Sequence, residues 1–172
     1  MQTFKIGIYF RTLEPNGVPQ QRVLLPVRYA STSHWILIFT AGGESRSFEL
    51  HDQSGTITYI KKRHPYEVPA HYFGEYTGRL ADLDQLAQYH PMNGQKYSKW
   101  INNCQHWAAH YLDILARFVK NTPHQSISIT KRDTLKVIAS VVDTKAGMSN
   151  NLNDSLTQLP LLLAAPFLLL KS

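Results

Sequence analysis

Cysteine is nearly absent: the chain has 172 residues and one thiol, Cys104. An internal disulfide is therefore excluded, stability must come from packing, and a reducing, intracellular compartment is the expectation. Charge is sparse as well. Charged residues make up 17% of the chain, and the net charge of +6 is scattered rather than gathered into runs. An excess of this size keeps a protein soluble or favours an anionic surface such as a membrane face. Glycine-rich phosphate loops, Cys/His clusters at metal-binding spacing and basic-aromatic stripes are all missing, so no cofactor, no metal and no nucleic-acid partner is expected. The start, "MQTFKIGIYFRT", alternates apolar and polar residues as a strand does, so it is expected to be a strand rather than a secretory leader. The apolar tail is not expected to form a simple membrane-spanning helix. Leu156 to Leu170 carries no charge, but Pro160 and Pro166 interrupt it, and a span needs roughly 20 apolar residues.

What is present is a hydrophobic content of 43%, enough for the core of one domain. The first half reads as strands: residues 3–10, then 21–29 with Pro26 marking an edge, then the apolar run from Ser33 to Thr40. The turn "AGGES" leads to a partner strand over 46–52, and "SG" leads to another over 56–62, which makes an antiparallel meander. The second half reads as helices. One covers the stretch ending at Pro91, one begins near Cys104, and one covers 132–143. Trp107, Ala108, Tyr111, Leu112, Leu115, Phe118 and Val119 form the apolar stripe of the second helix. The fold class is α+β. Residues 1–143 read as a single catalytic domain, 144–155 as a polar linker and 156–172 as an apolar tail, which either docks on the domain or lies in a membrane interface.

Asn103 is a good N-cap residue, so Cys104 falls in the first turn of a helix. There, unpaired backbone N–H groups and the positive end of the helix dipole favour a thiolate and can hold an oxyanion. A lone cysteine is more often a small buried hydrophobe, so the thiol needs a base to count as a nucleophile. Among eight histidines, His64, His71, His90 and His124 read as surface or turn residues. His106 and His110 read as a solvated helix face. His34 is different, because it opens the most apolar strand, where a polar residue needs a reason. His51 ends the next strand, so a hairpin could bring both rings to the cysteine. His34 is then the base and His51 its orienting partner.

"SHWILIF", "FELHD" and "NNCQHWAAHYLD", in that order, resemble the lecithin:retinol acyltransferase-like family of permuted papain-like thiol enzymes, a branch that includes the NlpC-type peptidases. The resemblance spans about residues 20–120. It implies a permuted papain-like fold, an antiparallel meander packed on helices, with Cys104 as nucleophile, His34 as general base and His51 as third member. Trp35, Gln105 and Trp107, which flank these motifs, are the candidates for substrate contact. The implied activity is a hydrolase or acyltransferase working through a thioester on acyl esters or amides, including lipids. "YSKWINNCQHW" is also similar to the cysteine block of the PPPDE peptidases, which implies isopeptide substrates on ubiquitin-like conjugates instead. An inactive, membrane-associated interaction module is the third reading.

Overall fold

Alternation of apolar residues in the first ten positions builds strand β1, Gln2–Arg11, with Phe4, Ile6, Ile8 and Phe10 all buried. The computed structural model describes residues 1–11, 33–98 and 103–130. The expected strand over 21–29, the helix over 132–143, the linker and the apolar tail lie outside these residues.

The central apolar run forms β2, His34–Ala41, and it is followed by β3, Glu44–Gln53, and β4, Thr56–His64. The two hairpins turn through two residues each. Gly42 and Gly43 have φ of 61° and 80°, and Ser54 and Gly55 have φ of 55° and 83°. Two successive positive φ values match the right-handed twist of the flanking strands, and glycine adopts them without steric cost. Asp52 reinforces the second turn by accepting a 2.8 Å hydrogen bond from the Gly55 N–H.

Two further strands complete the sheet: β5, His71–Gly78, and β6, Ser126–Ile129. Sequence reading assigned neither. The order across the sheet is β4-β3-β2-β1-β5-β6, and every neighbouring pair is antiparallel. The hydrophobic run therefore lies in the interior of the sheet, as expected of a strand with no polar face.

Helix α1, Leu80–Gln88, ends three residues before Pro91, and α2 runs Cys104–Lys120. The aromatic stripe of α2 docks on one face of the sheet. Tyr111 lies 5.5 Å from Phe48 and 6.0 Å from Phe39, ring centre to ring centre, and Trp107 stacks on Tyr59 at 6.4 Å. On the opposite face a smaller core gathers Tyr9, Ile36 and Ile38 under Val68 and Ala70 from the β4–β5 connection. The fold is thus α+β, with a six-stranded antiparallel sheet and two helices among the described residues. No helix among them is long and apolar enough to cross a membrane.

His90 corrects one expectation. It is buried, 2% exposed, rather than a surface or turn residue. Its ring packs 4.7 Å from Trp107 and edge-on to His110 at 5.0 Å, and its Nδ1 accepts a hydrogen bond from the Met92 N–H. The turn after α1 folds the ring back under α2, which a reading of local sequence misses.

Candidate active site

Asn103 caps α2 as its position suggests. Its extended backbone precedes the helix, and its Oδ1 accepts from the backbone N–H groups of Gln105 at 3.0 Å and His106 at 3.1 Å. The Trp107 N–H donates to the Asn103 carbonyl. Three of the four N–H groups in the first turn are therefore satisfied, and the helix supplies no acceptor for the fourth, that of Cys104.

The cap aims the thiol at the start of β2. The Trp35 backbone N–H points at Cys104 Sγ over 3.5 Å, and the same thiol acts electrostatically on the His34 ring. Gln105 ties the helix start to the same strand, its Nε2 donating to the Ser33 carbonyl at 3.2 Å. Cys104 itself is buried.

His34 does not pair with His51. Its Nε2 lies 3.0 Å from Glu49 Oε1. The group that contacts the His34 ring, expected to be His51, is Glu49. His51 stands behind it, with Nε2 3.5 Å from the same carboxylate oxygen. Strand register explains the substitution. Ile36 faces Glu49 across β2 and β3, so residues two apart put His34 on the same face as Glu49 and His51. A carboxylate one pair inward reaches the ring and binds it more strongly than a second imidazole could. The signal was present in "FELHD", where Glu49 and His51 share a face at period two.

The electrostatics follow from these contacts. Burial pulls His34 toward its neutral form, but its interactions with Cys104 and Glu49, which accept from the protonated ring and oppose its charge, outweigh it, and its pKa rises to about 9. Burial pushes the Glu49 carboxyl up, but the hydrogen bond and charge of His34, with the charges of Arg11 and His51, bring it down to about 2. The two shifts run in opposite directions, and each favours the charged form of its group.

The residues expected to contact substrate are all buried. Trp35 and Trp107 are fully buried in the core, Trp35 against Phe10 and Trp107 between Tyr59, His90 and Tyr111. Gln105 is a tether. Both tryptophans are consumed by packing because they face into the sheet–helix interface. Tyr97 was not anticipated. Its N–H donates to the Gly55 carbonyl, and its phenol pKa is raised by burial, then by the charges of Cys104 and Asp52, which places it in the electrostatic field of the thiol. Among the described residues, no group of three or more His, Cys, Asp or Glu is arranged to hold a metal ion.

No family model, no curated protein and no solved structure matches this chain.

Proposed function

We propose that the chain is a cysteine-dependent hydrolase or acyltransferase that works through a thioester. The observation that carries the reading is the hydrogen-bonded pair His34–Glu49 in electrostatic contact with Cys104, which sits at a capped helix N-terminus. Cys104 Sγ attacks the carbonyl carbon of an ester or amide. The carbonyl oxygen gains the negative charge, and the Cys104 N–H, left without an acceptor by its own helix, is positioned to donate to it. His34 holds the proton as imidazolium and delivers it to the departing oxygen or nitrogen. It then takes a proton from water, or from a second acceptor, as that group attacks the thioester. Glu49 fixes the ring and stabilises its positive charge.

A strand bearing histidine that precedes a helix bearing cysteine is the order of the permuted papain-like enzymes, and the reading of the fold as one of them is part of the same proposal. Acyl lipids are the favoured substrates, on the resemblance to the acyltransferase family and the apolar tail at 156–170. The competing reading draws on the burial of Cys104: a core thiol in a binding module, with no chemistry.

The test is alkylation by iodoacetamide across pH 5–10, for the native chain and for His34→Ala, with the labelled residue identified by mass spectrometry. A nucleophile paired with His34 reacts readily, and its pH profile changes when the ring is removed. An unreactive Cys104, or identical profiles in the two proteins, sinks the proposal. Lipid-type and ubiquitin-type activity probes on the same two proteins then separate acyl-lipid from isopeptide substrates.

A further inference from the structure

Four adjacent strands place polar residues on one face at one end of the sheet. Arg11 on β1 pairs with His34 on β2. On β3, Glu49 pairs with Ile60 of β4, and Lys62 follows two residues later on the same face. Residues two apart share a face, so Arg11, His34, Glu49, His51 and Lys62 form one row. The side chains converge on a single carboxylate. Arg11 Nη2 lies 3.1 Å from Glu49 Oε1, His34 Nε2 3.0 Å, His51 Nε2 3.5 Å, and Lys62 Nζ 3.8 Å from Glu49 Oε2.

The balance of charge and exposure is uneven. The Glu49 side chain is 4% exposed, whereas those of Arg11, His51 and Lys62 are 47%, 42% and 53% exposed. Glu49 carries one negative charge; Arg11 and Lys62 alone carry two positive ones, before the imidazolium of His34 is added. Among the described residues, no other carboxylate lies within ion-pair distance of Arg11 or Lys62. Asp52, the next acid on β3, pairs with Ile57 and so lies on the opposite face, where its Oδ1 accepts from Gly55. Guanidinium and ammonium groups carry more donors than one carboxylate can absorb, and here the surplus is turned to solvent around the carboxylate that holds His34.

We infer that Arg11, His51 and Lys62 form an anion subsite, and that the substrate acylating Cys104 carries a carboxylate or phosphate group close to its scissile carbonyl. This deepens the proposed thiol chemistry and rests on it. The subsite orients the acyl donor by its charge, and it concentrates anionic substrates over neutral ones of the same shape.

Two alkylating reagents of nearly the same size test it, because iodoacetate carries a carboxylate and iodoacetamide does not. Second-order rates for Cys104 of the full chain are measured with both at pH 7 and low salt, and compared with N-acetylcysteinamide as a neutral free thiol. The expected iodoacetate-to-iodoacetamide ratio is about tenfold above that of the free thiol, and it falls with added salt. Lys62→Gln, at a half-exposed position that cannot disturb the core, lowers the ratio several-fold, and Arg11→Gln does the same. His34 stays in both variants, so its own charge is not what the difference reads. A ratio equal to that of the free thiol, or unchanged by both substitutions, overturns the subsite and leaves the nucleophile standing. If neither reagent reacts, the nucleophile falls first. Protection against iodoacetate by inorganic phosphate or by acetate at equal ionic strength then separates the two anions: the better competitor identifies the group the subsite takes.

Discussion

Glu49 is the residue on which the site turns. A histidine held by a carboxylate keeps its orientation and its proton; one held by another histidine keeps mainly its orientation. Glu49→Gln retains the shape and loses the charge, so turnover is expected to fall by about 10²-fold. His51→Ala leaves the Glu49–His34 contact in place and costs less than tenfold, which steady-state kinetics on an ester substrate compares directly. The variant also predicts a pH effect that a merely structural role would not produce. His34 is raised to about 9 in part by Glu49, so activity that needs the imidazolium is lost as pH rises through about 9. In Glu49→Gln this alkaline limb moves to lower pH. An unmoved limb removes Glu49 from the triad.

At the scale of the element, α2 does two jobs with one sequence. Its N-terminus presents the thiol, and its stripe from Trp107 to Val119 anchors the helix to the sheet. Asn103→Ala removes the acceptor for two backbone N–H groups and for the His106 ring, whose Nδ1 lies 2.7 Å from Asn103 Oδ1. The expected loss is about 1 kcal/mol, read as a drop in urea midpoint with unchanged slope. Activity falls further than that loss implies, because fraying begins at the residue that carries the sulfur. Trp107→Ala is a different case: truncating a fully buried aromatic costs about 3–5 kcal/mol and is expected to unfold much of the population. If Trp107→Ala folds normally with only a raised KM, the residue contacts substrate after all.

The strands that escaped sequence reading show why local pattern is a partial guide. β5 contains Gly74 and ends at Gly78, and glycine inside a strand weakens the alternation that identifies it. Gly74 is there for a tertiary reason. A Cβ at this position would stand 2.5 Å from the Ser128 carbonyl oxygen on β6, so the edge strand can approach only because the side chain is missing. β6, with four residues, is too short to carry a pattern of its own.

For the whole molecule, the buried ionisable groups set the pH window of stability. His90 is pushed down to about 3, first by burial and then by the charge of His110. Unfolding lets it return to its ordinary 6.5, so between about 6.5 and 3 the unfolded chain binds the extra proton and stability falls as pH falls. Glu49, lowered to about 2, adds a second acid loss between its ordinary 4.5 and that value. His34 works in the other direction: its contribution is complete below 6.5 and is lost as pH rises through about 9. Thermal melts are therefore expected to peak near neutral pH and to decline on both sides. His90→Leu flattens the decline between pH 6 and 4, and an unchanged acid limb in that variant would show that His90 is already accessible to protons in the folded chain.

The sequence by itself determined the parts governed by neighbours in the chain: the alternation of β1, the buried run of β2, the two-residue turns, the apolar stripe of α2 and the cap that puts Cys104 in its first turn. These follow from steric preference, periodicity and backbone hydrogen bonding within a few residues. It also brought His34 forward, since a polar residue opening the most apolar strand calls for a partner. Only the tertiary structure decided which partner. Cross-strand register chose Glu49 over His51, helix docking spent Trp35 and Trp107 on the core, and the turn after α1 buried His90. Each is a meeting of residues far apart in sequence, and its outcome depends on which faces of sheet and helix are covered.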